Sequence, residues 1–148
     1  MDSPASENLH AQAASHGVDA GRLVFAPKLP PDQHLARHHA ADLFLDTLPY
    51  NAHTTCSDAL YAGLPVVTCY GKAFQARVAA SLLKAIDLPE LVTTRPEDYE
   101  ALALELANNP PLLQATREKL RRNRTTTPLY DSERFCRNIE AAYAGMVG

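Results

Sequence analysis

Two short apolar runs, Leu43-Phe44-Leu45 and Val66-Val67-Thr68-Cys69, are separated by a polar loop, one helix and the stop signal Gly63-Leu64-Pro65. A strand, a loop, a helix and a second strand in that order are the repeating unit of a parallel sheet, because parallel neighbours need a crossover connection. Between the two runs lies Asn51-Ala52-His53-Thr54-Thr55-Cys56-Ser57-Asp58-Ala59-Leu60. The helix that starts here leaves the N–H groups of its first turn without intrahelical acceptors, and together with the hydroxyls it makes a potential anion site. Thr55 and Asp58 also have the spacing of a capping box, which would close the helix with no ligand. A cap explains neither His53 nor the second threonine.

The same alternation extends along the chain. A helix over residues 5 to 16 ends at Gly17, placed as a C-cap glycine, and a strand is predicted at Leu23-Val24-Phe25-Ala26. Pro27-Lys28-Leu29-Pro30-Pro31 must be a loop, since proline blocks ladder pairing, and Asp32 is expected to cap a short helix carrying His34 and Arg37. Leu43-Phe44-Leu45 reads as a buried strand closed by Asp46. After the third strand at Val66 come a loop at Gly71-Lys72-Ala73-Phe74, a helix from about Gln75 to Ala85, and a short strand Leu91-Val92-Thr93. Helices then open at Pro96, at Pro110-Pro111 and after Asp131-Ser132, the last with Phe135, Ile139 and Tyr143 on one stripe.

The expected class is therefore α/β: four strands in a Rossmann-like parallel sheet with helices on both faces. In such sheets ligands bind beyond the carboxyl ends of the strands, and the polar segments 27–37, 46–58 and 70–77 each follow a strand. Three loops are thus expected to converge on one edge. At 148 residues the chain fits one domain, read as a single lobe over 1–148. It opens in a helix where such a sheet normally opens in a strand, which predicts a piece of a longer protein whose upstream lobe is absent.

Fourteen Lys and Arg against 17 Asp and Glu give a net charge of −3, which calls for neither nucleic acid nor an anionic membrane. With no long apolar stretch and no signal-like N-terminus, the expectation is a cytoplasmic protein. Cys56, Cys69 and Cys136 follow no metal-ligand or disulfide pattern and read as small apolar residues. No metal is expected: His38 and His39 beside His34 have no acidic or cysteine ligands near them and are expected to face solvent.

The run Leu45-Asp46-Thr47-Leu48-Pro49-Tyr50-Asn51-Ala52-His53-Thr54-Thr55, with Ser57-Asp58-Ala59-Leu60-Tyr61-Ala62-Gly63-Leu64-Pro65-Val66-Val67-Thr68, then Gly71, Phe74, Arg77-Val78-Ala79 and Ser81-Leu82-Leu83, closely resembles the C-terminal catalytic lobe of protein O-GlcNAc transferases and their bacterial and SPINDLY-like relatives. The resemblance runs from about Arg22 to the final helix. It implies a GT-B fold, two Rossmann-like lobes facing each other across a cleft, with the C-terminal lobe holding UDP-GlcNAc without metal or cofactor. Acceptor Ser and Thr side chains of proteins would arrive on upstream tetratricopeptide repeats. Thr54 and Thr55 would then bind the pyrophosphate, and His53 would sit at the β-phosphate and sugar as the catalytic group. Asp58 would bind the ribose, His34 and Arg37 would hold the uracil, and the backbone near Leu29 would read its edge. Tyr50 would line the sugar pocket or pack beneath the loop. The family's lysine and glutamine that complete charge neutralisation have no match here, since Lys28 and Lys72 stand elsewhere.

Each feature has a plainer explanation. Thr54, Thr55 and Asp58 could form a capped helix, His53 a loop histidine satisfied by backbone, Arg37 a surface arginine and Arg77 a structural ion pair or cap. The basic run Arg117, Lys119, Arg121, Arg122 and Arg124 suits a solvated helix end. Two other functions fit the same residues: a non-catalytic nucleotide-binding or interaction module, and a SPINDLY-type transferase with another donor such as GDP-fucose. An exposed flank where an absent lobe would pack could also drive dimerisation.

Overall fold

The computed structural model describes residues 4–147, and the chain divides into two compact units, one up to Pro31 and one from Asp32 onward. In the first unit helix α1 spans Pro4–Ser15 and ends as expected at Gly17, whose φ of 73° is the left-handed conformation that glycine adopts without strain. The predicted strand at Leu23–Ala26 does not form. The segment is extended, with Leu23 at φ −88° and ψ 112°, but no neighbouring strand pairs with it among the described residues. An apolar run with Val24 and Phe25 has strand propensity, yet a strand exists only where a partner offers a ladder. The four expected strands are therefore three.

Helix α2 covers Pro31–Arg37, and strand β1 follows at Phe44–Leu45. Pro31 is the first helical residue, so Asp32 lies inside the first turn rather than at the cap. Helix α3 spans Thr54–Ala62 and strand β2 Val66–Cys69. Gly63, at φ 89°, ends α3 by donating its N–H to Ala59 O and Leu60 O, which turns the chain directly into β2. The helix expected from Gln75 is split: a 3-10 turn at Phe74–Ala76 precedes helix α4 at Val78–Ala85. Strand β3 is Val92–Thr93, and helices α5 (Pro96–Asn108), α6 (Pro110–Thr126) and α7 (Ser132–Val147) complete the chain. Both α5 and α6 begin with proline, where its missing N–H costs nothing.

The sheet is parallel throughout, in the order β1-β2-β3, with Phe44 opposite Val66 and Thr68 opposite Val92. All four residues of β2 are buried, and since alternate side chains point to opposite faces, both faces of this central strand are covered. The core joins β2 to Leu60 of α3, Leu83 of α4, Leu106 of α5 and Leu120 of α6. The expected burial of β1 holds only in part. Successive side chains point to opposite faces, so Phe44 packs against the core while Leu45, on the other face, is 55% exposed.

The basic run of α6 is less solvated than expected. Arg117 donates to the carbonyl groups of Ala41 and Asp42 and to the Asp42 carboxylate at 2.9 Å, Lys119 pairs with Glu90, and Arg124 lies over the Tyr61 ring. Arg77 donates to the Lys72 carbonyl and covers the Tyr70 ring; it caps its loop rather than pairing with a carboxylate. Cys56 and Cys69 are buried and Cys136 is exposed. Among the described residues no helix is long and apolar enough to cross a membrane.

Candidate functional site

The loop that follows β1 is organised by a carboxylate. Asp46, buried at the end of the strand, accepts the Thr47 N–H at 2.9 Å and the Ala52 N–H at 2.7 Å on Oδ1, and the Thr68 hydroxyl of β2 at 2.6 Å on Oδ2. Within the loop Thr47 Oγ1 donates to Tyr50 O and Asn51 Nδ2 to Thr47 O. Both ends of a short exposed loop are thereby fastened to one side chain, and its last fastened residue is the one before His53.

His53 is the N-cap of α3, and no side chain caps this helix. The capping box suggested by spacing is absent because Thr54 and Thr55 already lie in the first turn. The first intrahelical bond runs from Ser57 N to His53 O, so the N–H groups of Thr54, Thr55 and Cys56 have no acceptor within the helix. Both threonines are exposed, with the partial positive end of the helix dipole behind them. Uncapped N–H groups, two hydroxyls and a histidine at one helix start are the chemistry that binds a phosphate.

The His53 ring is held on three sides. Tyr50 stacks on it at 5.1 Å with an interplanar angle of 20°, Phe74 meets it edge-on at 6.1 Å, and its Nε2 lies 3.4 Å from Gln75 O. The same carbonyl accepts the Asn51 N–H at 3.0 Å, tying the loop after β1 to the loop after β2. The segments 46–58 and 70–77, two of the three expected to converge, meet here. Phe74, a residue not singled out from the sequence as a site group, is 77% exposed beside this histidine. A large aromatic left bare in a loop is the signal that would have marked it.

One turn along α3, Asp58 faces α2: its Oδ2 is 3.4 Å from His34 Nε2, with the two side chains 31% and 23% exposed. Arg37, half-buried, is three residues beyond His34 on the same short helix. His38 is buried rather than solvent-facing, with its ring edge-on to His34 at 4.9 Å and its Nδ1 2.9 Å from His34 O, while His39 is exposed. The site thus brings His53 together with Tyr50, and Asp58 with His34, along the exposed side of α3. Leu29 belongs to the first unit and is partly buried there. Beneath the threonines Cys56 faces inward: burial, and then the Asp46 charge, push its thiol up to about 12.

A sequence profile described as glycosyl transferase family 41 matches residues 3–139. The chain is 38% identical over 135 residues to the probable UDP-N-acetylglucosamine–peptide N-acetylglucosaminyltransferase SEC of Arabidopsis thaliana, covering 90% of this chain and 14% of that protein. It is 34% identical over 134 residues to the UDP-N-acetylglucosamine–peptide N-acetylglucosaminyltransferase of Caenorhabditis elegans, 90% of this chain and 12% of that one. The probable SPINDLY transferase of Hordeum vulgare is 37% identical over 131 residues, again spanning 88% and 14%. A solved O-GlcNAc transferase of Thermobaculum terrenum superposes with a TM-score of 0.88 at 36% identity, over 97% of this chain and 28% of that one. The chain therefore spans about a seventh of the length of the curated relatives it matches.

Proposed function

The chain belongs to glycosyl transferase family 41, and from that premise we propose that it is the donor-binding lobe of a transferase that moves N-acetylglucosamine from UDP-GlcNAc to Ser and Thr of proteins. The observation that carries the reading is the uncapped start of α3, where Thr54 and Thr55 stand exposed beside the half-buried His53 at the carboxyl end of a parallel sheet. Glycosyl transfer leaves growing negative charge on the departing diphosphate, and oriented N–H groups, hydroxyls and an imidazole offset it where it develops. In this reading Thr54, Thr55 and the α3 N–H groups hold the pyrophosphate, and His53 addresses the β-phosphate and sugar. Asp58 takes the ribose, His34 and Arg37 take the uracil, and Tyr50 borders the sugar. The donor is the substrate, and no metal or cofactor has a part in this scheme.

The acceptor protein is delivered by another part of a longer protein, for which upstream tetratricopeptide repeats are the proposed carrier, in the cytoplasm. Neutralisation by one helix start and two hydroxyls is incomplete, so the chain by itself binds UDP weakly and transfers no sugar. The similarity to SPINDLY relatives favours a second reading in which the donor is a different nucleotide sugar, such as GDP-fucose.

Calorimetric titration of this chain with UDP and with GDP tests both readings. Saturable UDP binding, with a rise in unfolding free energy of about 2.7 kcal/mol at a hundredfold excess over Kd, supports the first. Preferential GDP binding moves the assignment to the second, and the absence of binding by either nucleotide removes the donor-site reading.

A further inference from the structure

We propose that Asp46 is the positioning residue of this site, the group that sets where the His53 ring and the start of α3 stand. The proposal rests on the donor-site reading for what is positioned, but the positioning is visible without it. Asp46 is 5% exposed and makes no ion pair among the described residues; its carboxylate accepts from Thr47 N–H, Ala52 N–H and the Thr68 hydroxyl. Two of these donors bracket the loop that carries Tyr50, and the third lies on the adjacent strand β2. Its own main chain is held as well: its N–H donates to Val67 O, and its carbonyl accepts the Tyr99 phenol of α5 at 2.9 Å.

Charge-assisted bonds to a buried carboxylate are among the stronger contacts a side chain makes, and one atom that gathers both ends of a loop fixes its closure. Ala52 directly precedes His53, so the Ala52 N–H bond sets the entry of the chain into α3. The Asn51 N–H bond to Gln75 O secures the residue before it. Tyr50, stacked on His53, leaves the same loop. Asp46 itself touches no exposed surface of the site; it acts through the loop.

Asp46→Asn and Asp46→Ala test this in the 148-residue chain, with Thr68→Val as the comparison, since that change removes the Oδ2 bond and leaves both Oδ1 bonds in place. The expected result is that the Asp46 variants stay folded by circular dichroism, lose the ring-current shift that Tyr50 imposes on the His53 imidazole protons in NMR spectra, and bind UDP about tenfold more weakly. Thr68→Val is expected to melt lower but to keep both. Asp46→Asn with a lowered melting temperature, an unchanged His53 signal and unchanged UDP affinity would overturn the proposal and leave Asp46 a fold-stabilising residue only. In the unsubstituted chain the Ala52 amide is expected to exchange with solvent only through global unfolding, and exchange at the rate of a free loop would overturn it without any variant. Failure of the unsubstituted chain to bind UDP would remove the donor-site reading, while the His53 signal would still decide the role of Asp46.

Discussion

Nε2 of His34 stands 3.4 Å from Oδ2 of Asp58, so the short helix α2 is fastened to the second turn of α3 by the two side chains assigned to the nucleoside. The contact is partly screened by water and its coupling is modest. A double-mutant cycle of His34→Ala and Asp58→Ala in urea unfolding is expected to give a coupling of about 0.5 kcal/mol. Strict additivity would show that the pair is not made in solution.

Removing the imidazole at the start of α3 separates phosphate from nucleoside recognition. His53→Ala is expected to weaken UDP binding by about tenfold while leaving uridine affinity unchanged, because in the proposed donor site only the diphosphate reaches that helix end. Asp58→Ala is expected to weaken both ligands. Titration calorimetry with the two compounds reads the difference, and equal losses for His53→Ala would place the ring near the nucleoside instead. If the proposed donor site serves sugar transfer in a longer protein, His53→Ala is expected there to lower the rate of transfer and Asp58→Ala mainly to raise the donor concentration required.

Leu60 is fully buried between α3 and the sheet, whereas Val24 is 87% exposed. Leu60→Ala is expected to cost about 3 kcal/mol in urea unfolding, and Val24→Ala to stay within about 0.5 kcal/mol of the parent. A large loss at Val24 would mean that the extended segment packs against something in solution.

The thiols divide by environment. Ellman's reagent at pH 8 is expected to modify Cys136 and to spare Cys56 and Cys69 until the chain is denatured. Cys56, raised from 9.0 to about 12, and Tyr130, raised from 10.0 to about 12, both chiefly by burial, bind protons more tightly when folded. A raised folded pKa gives stability that is whole below the unfolded value and lost as pH climbs to the folded one. Unfolding free energy is therefore expected to fall between about pH 9 and 12, and Cys56→Ala to flatten the lower part of that decline.

Phe135, Ile139 and Tyr143 leave an apolar stripe on α7 that no other element covers among the described residues. Self-association of the chain in sedimentation equilibrium is expected to rise with concentration, and Ile139→Glu to suppress it. A monomer at all concentrations would show that the stripe is inert in water.

The elements legible in the sequence are those whose signals are local. β2 announces itself by consecutive β-branched residues, α5 and α6 by proline at their first positions, and the end of α3 by Gly63. Leu23–Ala26 also carries strand formers, Val24 and Phe25, but whether a strand forms depends on a partner that no local pattern reveals. The helix start at His53 was legible because a polar, hydroxyl-bearing run between two apolar strands marks where a loop gives way to a helix, whose first N–H groups have no acceptor by geometry. Two features were not: that Asp46, Ala52 and Thr68 meet at one carboxylate, and that Asp58 turns to His34. Both arise from residues far apart in the chain and brought together by the sheet. His38 is a different case: the His34 ring and carbonyl beside it are only four residues away, so its contact is local, yet no apolar pattern in the sequence marks that position as buried.

Strand β1 is gripped just before it starts by Arg117 at Asp42 and just after it ends by Tyr99 at Asp46, and these two residues sit on α6 and α5, which meet at the single residue Asn109. With Pro110 and Pro111 stiffening that corner, the two helices form an angle bracket bolted to both ends of a very short strand. An extra residue inserted at the corner would splay the bracket, and the damage would surface not on the helices but at the far rim of the sheet, at the loop that leads into His53.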